Sequence, residues 1–233
     1  MKKLGFVALA SAAALAAVPA SAATVIFTSG FEGTGNSVNS RKPGDGPGVI
    51  TPAGDYGLYT TADGWTADDP TKPIELQNNV AGAPQSPDGG KVFVELDSTA
   101  NSSMSRIIAN AGWYELSFLY SPRGGQPASS NGINVALNNV VFNPPTTVTG
   151  VGLPGNQTSW SSVSIGRFFA TAGSKLTFSA VGTSNSLGGY VDNITLAAVP
   201  EPATWAMMIM GFGLIGGALR SAKGRQTTRV RYA

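Results

Sequence analysis

Two residue types are missing from this 233-residue chain: it has no cysteine and no histidine. Without cysteine there can be no disulfides and no thiolate nucleophile. Without histidine there is no Ser-His-Asp triad and no His-ligated zinc or iron. Charge is scarce as well, with Asp, Glu, Lys and Arg at 12%, about half the usual ~25%. In their place stand 30 glycines and 15 prolines. Stability must come from a packed core, with a bound ion as the one further aid.

The formal charge of +2 and the pI near 8.9 mislead, because the basic residues gather at the ends. Between residues 23 and 199, eight lysines and arginines face twelve aspartates and glutamates, a formal charge of −4. Nucleic-acid binding relies on clustered Lys and Arg meeting phosphates. No such cluster lies outside the termini, so a nucleic-acid partner is set aside.

The first 22 residues have the form of a signal peptide. Lys2 and Lys3 precede an apolar run from Leu4 to Val18, and Ala20-Ser21-Ala22 supplies the small residues needed at a cleavage site. The mature chain is expected to start at Ala23. Residues 23–197 then form one domain, long enough for one core and too short for two comfortable ones.

The other end is apolar too. From Ala203 to Leu219 run 17 residues without a charge, about 25 Å of helix at ~1.5 Å per residue. This predicts one C-terminal transmembrane helix over 203–219, with Trp205 at the interface. Arg220, Lys223, Arg225, Arg229 and Arg231 follow, and their charge predicts a cytoplasmic 220–233 tail with the body outside. Pro200 and Pro202 disfavour helix just before this segment, so Glu201 is presented on extended chain that a protease can take up.

Val199-Pro200-Glu201-Pro202, Ala203-Thr204-Trp205-Ala206, the glycine-broken apolar run and the basic end together resemble the PEP-CTERM sorting signal. The resemblance covers 198–225. It implies export in a Gram-negative bacterium, transient membrane attachment and cleavage by an exosortase at or near Pro200-Glu201-Pro202, with Trp205 and Arg220 completing the signal. The cell surface or extracellular matrix is then the destination, and exopolysaccharide a candidate partner. The same tail is also labelled an ice-binding protein C-terminal region, which describes the tail and not the body.

The body shows alternating short runs between Gly, Pro, Asn and Ser clusters. Strands are predicted at 23–28, 72–77, 91–96, 103–108, 112–121, 132–138, 160–169, 174–181 and 189–197, with longer loops at 33–56, 78–90 and 143–158. This pattern makes the fold all-β, an antiparallel β-sandwich of jelly-roll type. Four phrases are similar to carbohydrate-binding-module-like sandwiches: "SGFEG" (29–33), "ELQ…GKVFVELDS" (75–98), "AGWYELSFLYSPR" (111–123) and "GGYVDNITL" (188–196). The resemblance implies a structural calcium ion held by Glu32 and Asp192. Two carboxylates are too few for Ca²⁺ alone, so backbone carbonyls would have to supply the rest.

Asp and Glu alone can still build a paired-carboxylate glycosidase. Its candidates are Glu75, Glu95, Asp97 and Glu115, yet the three glutamates read as ordinary polar strand positions and Asp97 as a strand-end turn residue. No catalytic residue is therefore assigned. For glycan binding, Tyr56, Tyr59 and Trp65 are the candidates, in a loop rich in aspartate. Trp65 serves equally well as a residue pinning that loop to the sandwich. Two readings stand: a non-catalytic, exported β-sandwich that contacts glycan, or an unusual glycan-active enzyme.

Overall fold

The computed structural model describes residues 23–32, 55–78, 90, 92–138, 140–142, 147–199 and 204–223. The chain divides into two units, described separately below: Ala23–Pro200, and one that contains Glu201–Ala233. The predicted signal peptide, Pro200-Glu201-Pro202 and residues 224–233 lie outside the described residues.

The larger unit is built from strands alone among its described residues. In chain order they are β1 (Thr24–Ser29), β2 (Asp55–Tyr59), β3 (Thr61–Ala62), β4 (Trp65–Ala67) and β5 (Ile74–Asn78). Next come β6 (Phe93–Glu95), β7 (Ser103–Ile108), β8 (Gly112–Ser121), β9 (Gly132–Leu137) and β10 (Val140–Val141). The last are β11 (Thr147–Val148), β12 (Ser161–Ala170), β13 (Ser174–Val181) and β14 (Tyr190–Ala198). All pairings are antiparallel. One sheet runs β12-β8-β14-β6-β5-β2 with β1 also on β14; the other runs β10-β9-β13-β7-β4-β3 with β11 also on β9. Each of the nine predicted strands is present within two residues of its expected ends.

Alternation explains the layering. Along β8, Tyr114, Leu116, Phe118 and Tyr120 are buried in the core, while Glu115 on the opposite face is exposed. Ile133 and Val135 of β9, and Leu176 and Phe178 of β13, meet them from the second sheet. The first sheet therefore has a core face and an outer face. Its outer face carries the candidate site.

Where the sequence predicted a loop, the chain makes a hairpin. Asp63 and Gly64 both have positive φ, 47° and 81°, and Ala62 pairs with Trp65 across them. That is the two-residue turn for which Asp-Gly is the strongest signal. It aims Trp65 inward.

Gly182 begins the segment leading to β14, with φ of 101°; a Cβ there would stand 2.1 Å from the carbonyl oxygen of Ser129. Gly173 has φ of 79° and no neighbour within 4 Å of such a Cβ. Gly182→Ala should therefore cost more than the ~1–3 kcal/mol of backbone strain, and Gly173→Ala no more than that strain. Equal denaturant midpoints for the two variants would contradict this.

The smaller unit contributes one helix, α1 (Thr204–Lys223). The sequence expects a transmembrane helix over 203–219; among the described residues no helix is long and apolar enough to cross a membrane. Thr204 and Trp205 at one end and Arg220 at the other leave an apolar run of 14 residues, Ala206 to Leu219. Four of these are glycine, and about 20 apolar residues are needed to span. Arg220 is exposed on the helix.

Candidate functional site

Register dictates what the outer face displays. In antiparallel pairs, directly opposed residues point to the same side. Tyr56 of β2 stands opposite Gln77 of β5, which stands opposite Phe93 of β6. In the next row Leu58, Glu75, Glu95 and Tyr190 follow one another across β2, β5, β6 and β14. Tyr56, Leu58, Glu75 and Gln77 of these rows floor a pocket of about 290 Å³, whose walls also include Ser98, Thr99, Arg123 and Ser186.

The acids of this face are not the exposed strand positions that the sequence suggested. Glu95 and Asp97 are fully buried and Glu75 nearly so; only Glu115 is exposed as expected. Glu75 and Glu95 sit directly opposite each other, an arrangement that destabilises a sheet when both are charged. Three groups manage it. Arg123 forms an ion pair with Glu95, Nη1 to Oε2 at 2.5 Å. The amide of Gln77 donates to Glu75 Oε1 at 2.7 Å and also to Glu95 Oε2. The backbone N–H of Gly188 donates to the other oxygen of Glu95 at 2.5 Å.

Burial still dominates the electrostatics. It pushes Glu95 up to about 8; Arg123 opposes the rise and neighbouring Glu75 adds to it. Glu75 is raised too, first by burial, against the pull of Gln77 and Arg123 and with a push from Asp97. One guanidinium cannot discharge two buried carboxylates, so burial prevails and pushes both acids toward their neutral forms.

Loops hold the rim. Asp97 accepts from the Ser184 hydroxyl at 2.7 Å and from the Asn185 N–H at 2.9 Å, tying down the segment that brings Ser186 to the pocket. Arg123 is placed by buried Asn131, whose Oδ1 accepts the Arg123 N–H at 2.9 Å. Beyond the pocket, Phe93, Tyr190 and Trp160 form a second aromatic cluster on the same face.

Of the three predicted ligand-binding aromatics, only Tyr56 reaches this site, and it is 39% exposed. Tyr59 and Trp65 are buried in the core and cannot stack on a ligand from outside. Alternation separates them: Tyr56 and Tyr59 are three apart on one strand and so point to opposite faces.

Because β1 pairs with β14, Ser29 faces Ile194, which brings the end of one strand near Asp192 of the other. Glu32 accepts the Val92 N–H. Asp192, wholly buried, accepts the N–H of Asn193 at 2.7 Å, where a bulge interrupts the β14–β8 register and φ is 47°. Among the described residues no group of three or more acids can hold a metal. Backbone oxygens would have to complete a Ca²⁺ shell around these two carboxylates.

Gln77 and Arg123 were missed, and the signal for them lay in "VFVEL". Val92, Phe93, Val94 and Leu96 place apolar residues on both faces of one strand, the mark of a strand buried on both sides. A glutamate in such a strand needs a buried cation or amide beside it.

Together these features define an antiparallel β-sandwich with a polar, aromatic-edged pocket on one outer face. Comparison with known proteins finds the family described as PEP-CTERM protein-sorting motif at residues 198–224. No curated protein matches. Among solved structures, the native structure of a family 35 carbohydrate binding module from Clostridium thermocellum is similar at 14% identity and TM-score 0.37, covering 61% of this chain and 97% of that one. The CBM22-1 xylan-binding domain from Paenibacillus barcinonensis Xyn10C is 14% identical, TM-score 0.41, over 78% and 99%. A Stig cyclase, Fisc from Fischerella sp. TAU, is 15% identical, TM-score 0.48, over 78% and 99%.

Proposed function

We propose that this is an exported, non-catalytic glycan-binding protein, delivered to the cell surface or matrix through its C-terminal sorting motif, with exopolysaccharide as its ligand. The observation that carries the binding reading is the pocket itself. An exposed tyrosine ring borders a floor of buried amide and carboxyl groups, the mix of flat apolar surface and fixed hydrogen-bonding groups that a sugar ring requires. Catalysis by the paired carboxylates is disfavoured by the same geometry. Both oxygens of Glu95 already accept bonds from Arg123, Gln77 and Gly188, so no free carboxylate is left to act as nucleophile beside Glu75.

The test uses the full chain, purified in non-ionic detergent, in a pull-down with exopolysaccharide from the producing cells. Tyr56→Ala should weaken retention about 10-fold, the loss expected for one aromatic contact. Retention of the variant equal to that of the wild type, or no retention of either, would refute the reading.

For sorting, the proposal rests on the motif and not on a bilayer-crossing length. An exosortase cleaves at or near Pro200-Glu201-Pro202, and the body is released from its site of membrane attachment. Glu201→Ala in the native host should yield a larger chain that stays with the membrane fraction. Identical size and fractionation of variant and wild type would end the sorting proposal.

A further inference from the structure

The pocket is unbalanced in two ways. Glu75, Glu95 and Asp97 are all buried in its surroundings, and Arg123 is the one cation that meets them among the described residues. The oxygens of Glu95 and Asp97 are fully engaged by protein donors. Glu75 accepts one bond, through Oε1 from Gln77, and its second oxygen receives none from the described residues. The second imbalance is independent of charge. Gln77 is 1% exposed, and its Oε1 has no hydrogen-bond partner among the described residues. Both side chains line the pocket. Its inner wall therefore offers two adjacent acceptors, one of them on a carboxyl group, that no donor among the described residues meets.

A buried acceptor such as Oε1 of Gln77 is costly unless a donor arrives. From these observations, and resting on the glycan reading above, we infer that the site selects sugars carrying a free, protonated amine. An ammonium supplies three donors and the missing positive charge at once. It can bridge the open oxygen of Glu75 and Oε1 of Gln77 while the sugar ring lies against Tyr56. An N-acetylated amine brings one donor, no charge and extra bulk. A uronate would bring a further acid to surroundings that already hold Glu75, Glu95 and Asp97 with Arg123 as the one cation among the described residues.

The experiment is calorimetric titration of the full chain in non-ionic detergent with three probes: β-1,4-linked glucosamine oligosaccharides, their N-acetylated counterparts and oligogalacturonate. The glucosamine oligomer should bind at least ~10-fold tighter than the other two. Glu75→Gln should abolish that preference. Glu115→Gln, which removes an exposed carboxylate outside the pocket, should leave the preference intact. Should Glu75→Gln not fold, the wild type still decides: its preference should shrink from about 0.01 to about 1 M salt, as the Debye length falls from ~30 to ~3 Å. Equal affinities, tighter uronate binding, a preference that Glu115→Gln removes as readily as Glu75→Gln, or one indifferent to salt would each overturn the inference. Binding of the acetylated oligomer without preference would remove the amine selectivity alone. Silence from all three probes would remove both it and the glycan reading.

Discussion

Truncating Trp65 to alanine should bring the sandwich close to unfolding. Its side chain is fully buried between the sheets, edge-on to Phe27 at 5.9 Å and to Phe178 at 5.4 Å. Its indole N–H donates to the hydroxyl of Ser29 at 3.0 Å. One residue thus ties β1, β4 and β13 together. A buried Trp→Ala typically costs about 3–5 kcal/mol, against the roughly 5–15 kcal/mol that a domain has in total. At ~2–4 °C per kcal/mol the melting midpoint should fall by about 6–20 °C. Trp65→Phe retains most of the ring contact and loses mainly the N–H bond, about 1 kcal/mol. A midpoint for Trp65→Ala within about 2 °C of wild type would restore Trp65 as a surface residue available to ligand.

That tryptophan also marks how far the sequence could be read. Long alternating strands such as 112–121 and 174–181 were legible because their side chains alternate cleanly between core and solvent. The 55–67 region was not. Its strands β2, β3 and β4 have five, two and three residues, too short for a period of two to stand out from a loop rich in Asp, Gly and Thr. Asp63-Gly64 was the available clue, since a dipeptide suited to positive φ between Ala62 and Trp65 specifies a hairpin and therefore the side to which Trp65 turns. The acids of the site were misread for a different reason. An alternating polar residue is exposed only if its face meets solvent. The outer face at Glu75 and Glu95 is covered by chain from far away in sequence, including Arg123 and Gly188. No local pattern reports such a covering loop. The phrases that resemble carbohydrate-binding sandwiches fall on strands of this fold, and "ELQ" supplies Glu75 and Gln77 to the pocket, with Glu95 of "VFVEL" opposite Glu75.

The ion pair under that pocket gives the second large effect, and one whose sign depends on pH. Arg123→Leu removes the cation from Glu95, which is fully buried. Breaking one side of a buried pair usually costs about 3–5 kcal/mol because a charge is left without compensation. A carboxyl can escape that penalty by taking a proton. Glu95 sits at about 8 in the folded chain against an ordinary 4.5, so the folded state holds more protons than the unfolded state between those values. Its stabilising contribution is complete below the unfolded value and is lost as pH rises through the folded one. Without Arg123, which opposes the rise, the folded value moves higher still, and the variant has more stability to lose on the way up. The deficit of Arg123→Leu against wild type should therefore be small near about pH 5 and approach its full size above about pH 8. Lower pH is unsuitable for the comparison. Asp68, although burial raises it, is held below its ordinary value by Lys175, Ser105 and Ser103, so its contribution is lost as pH falls through its folded value, on the acid side. Adding Glu95→Gln to Arg123→Leu removes the titrating group and should flatten the pH dependence while recovering part of the stability. Denaturant midpoints for wild type and both variants, taken at about pH 5 and about pH 8.5, make the measurement. A deficit of the same size at both pH values would mean that Arg123 acts by packing alone, and that Glu95 carries no proton in the folded protein.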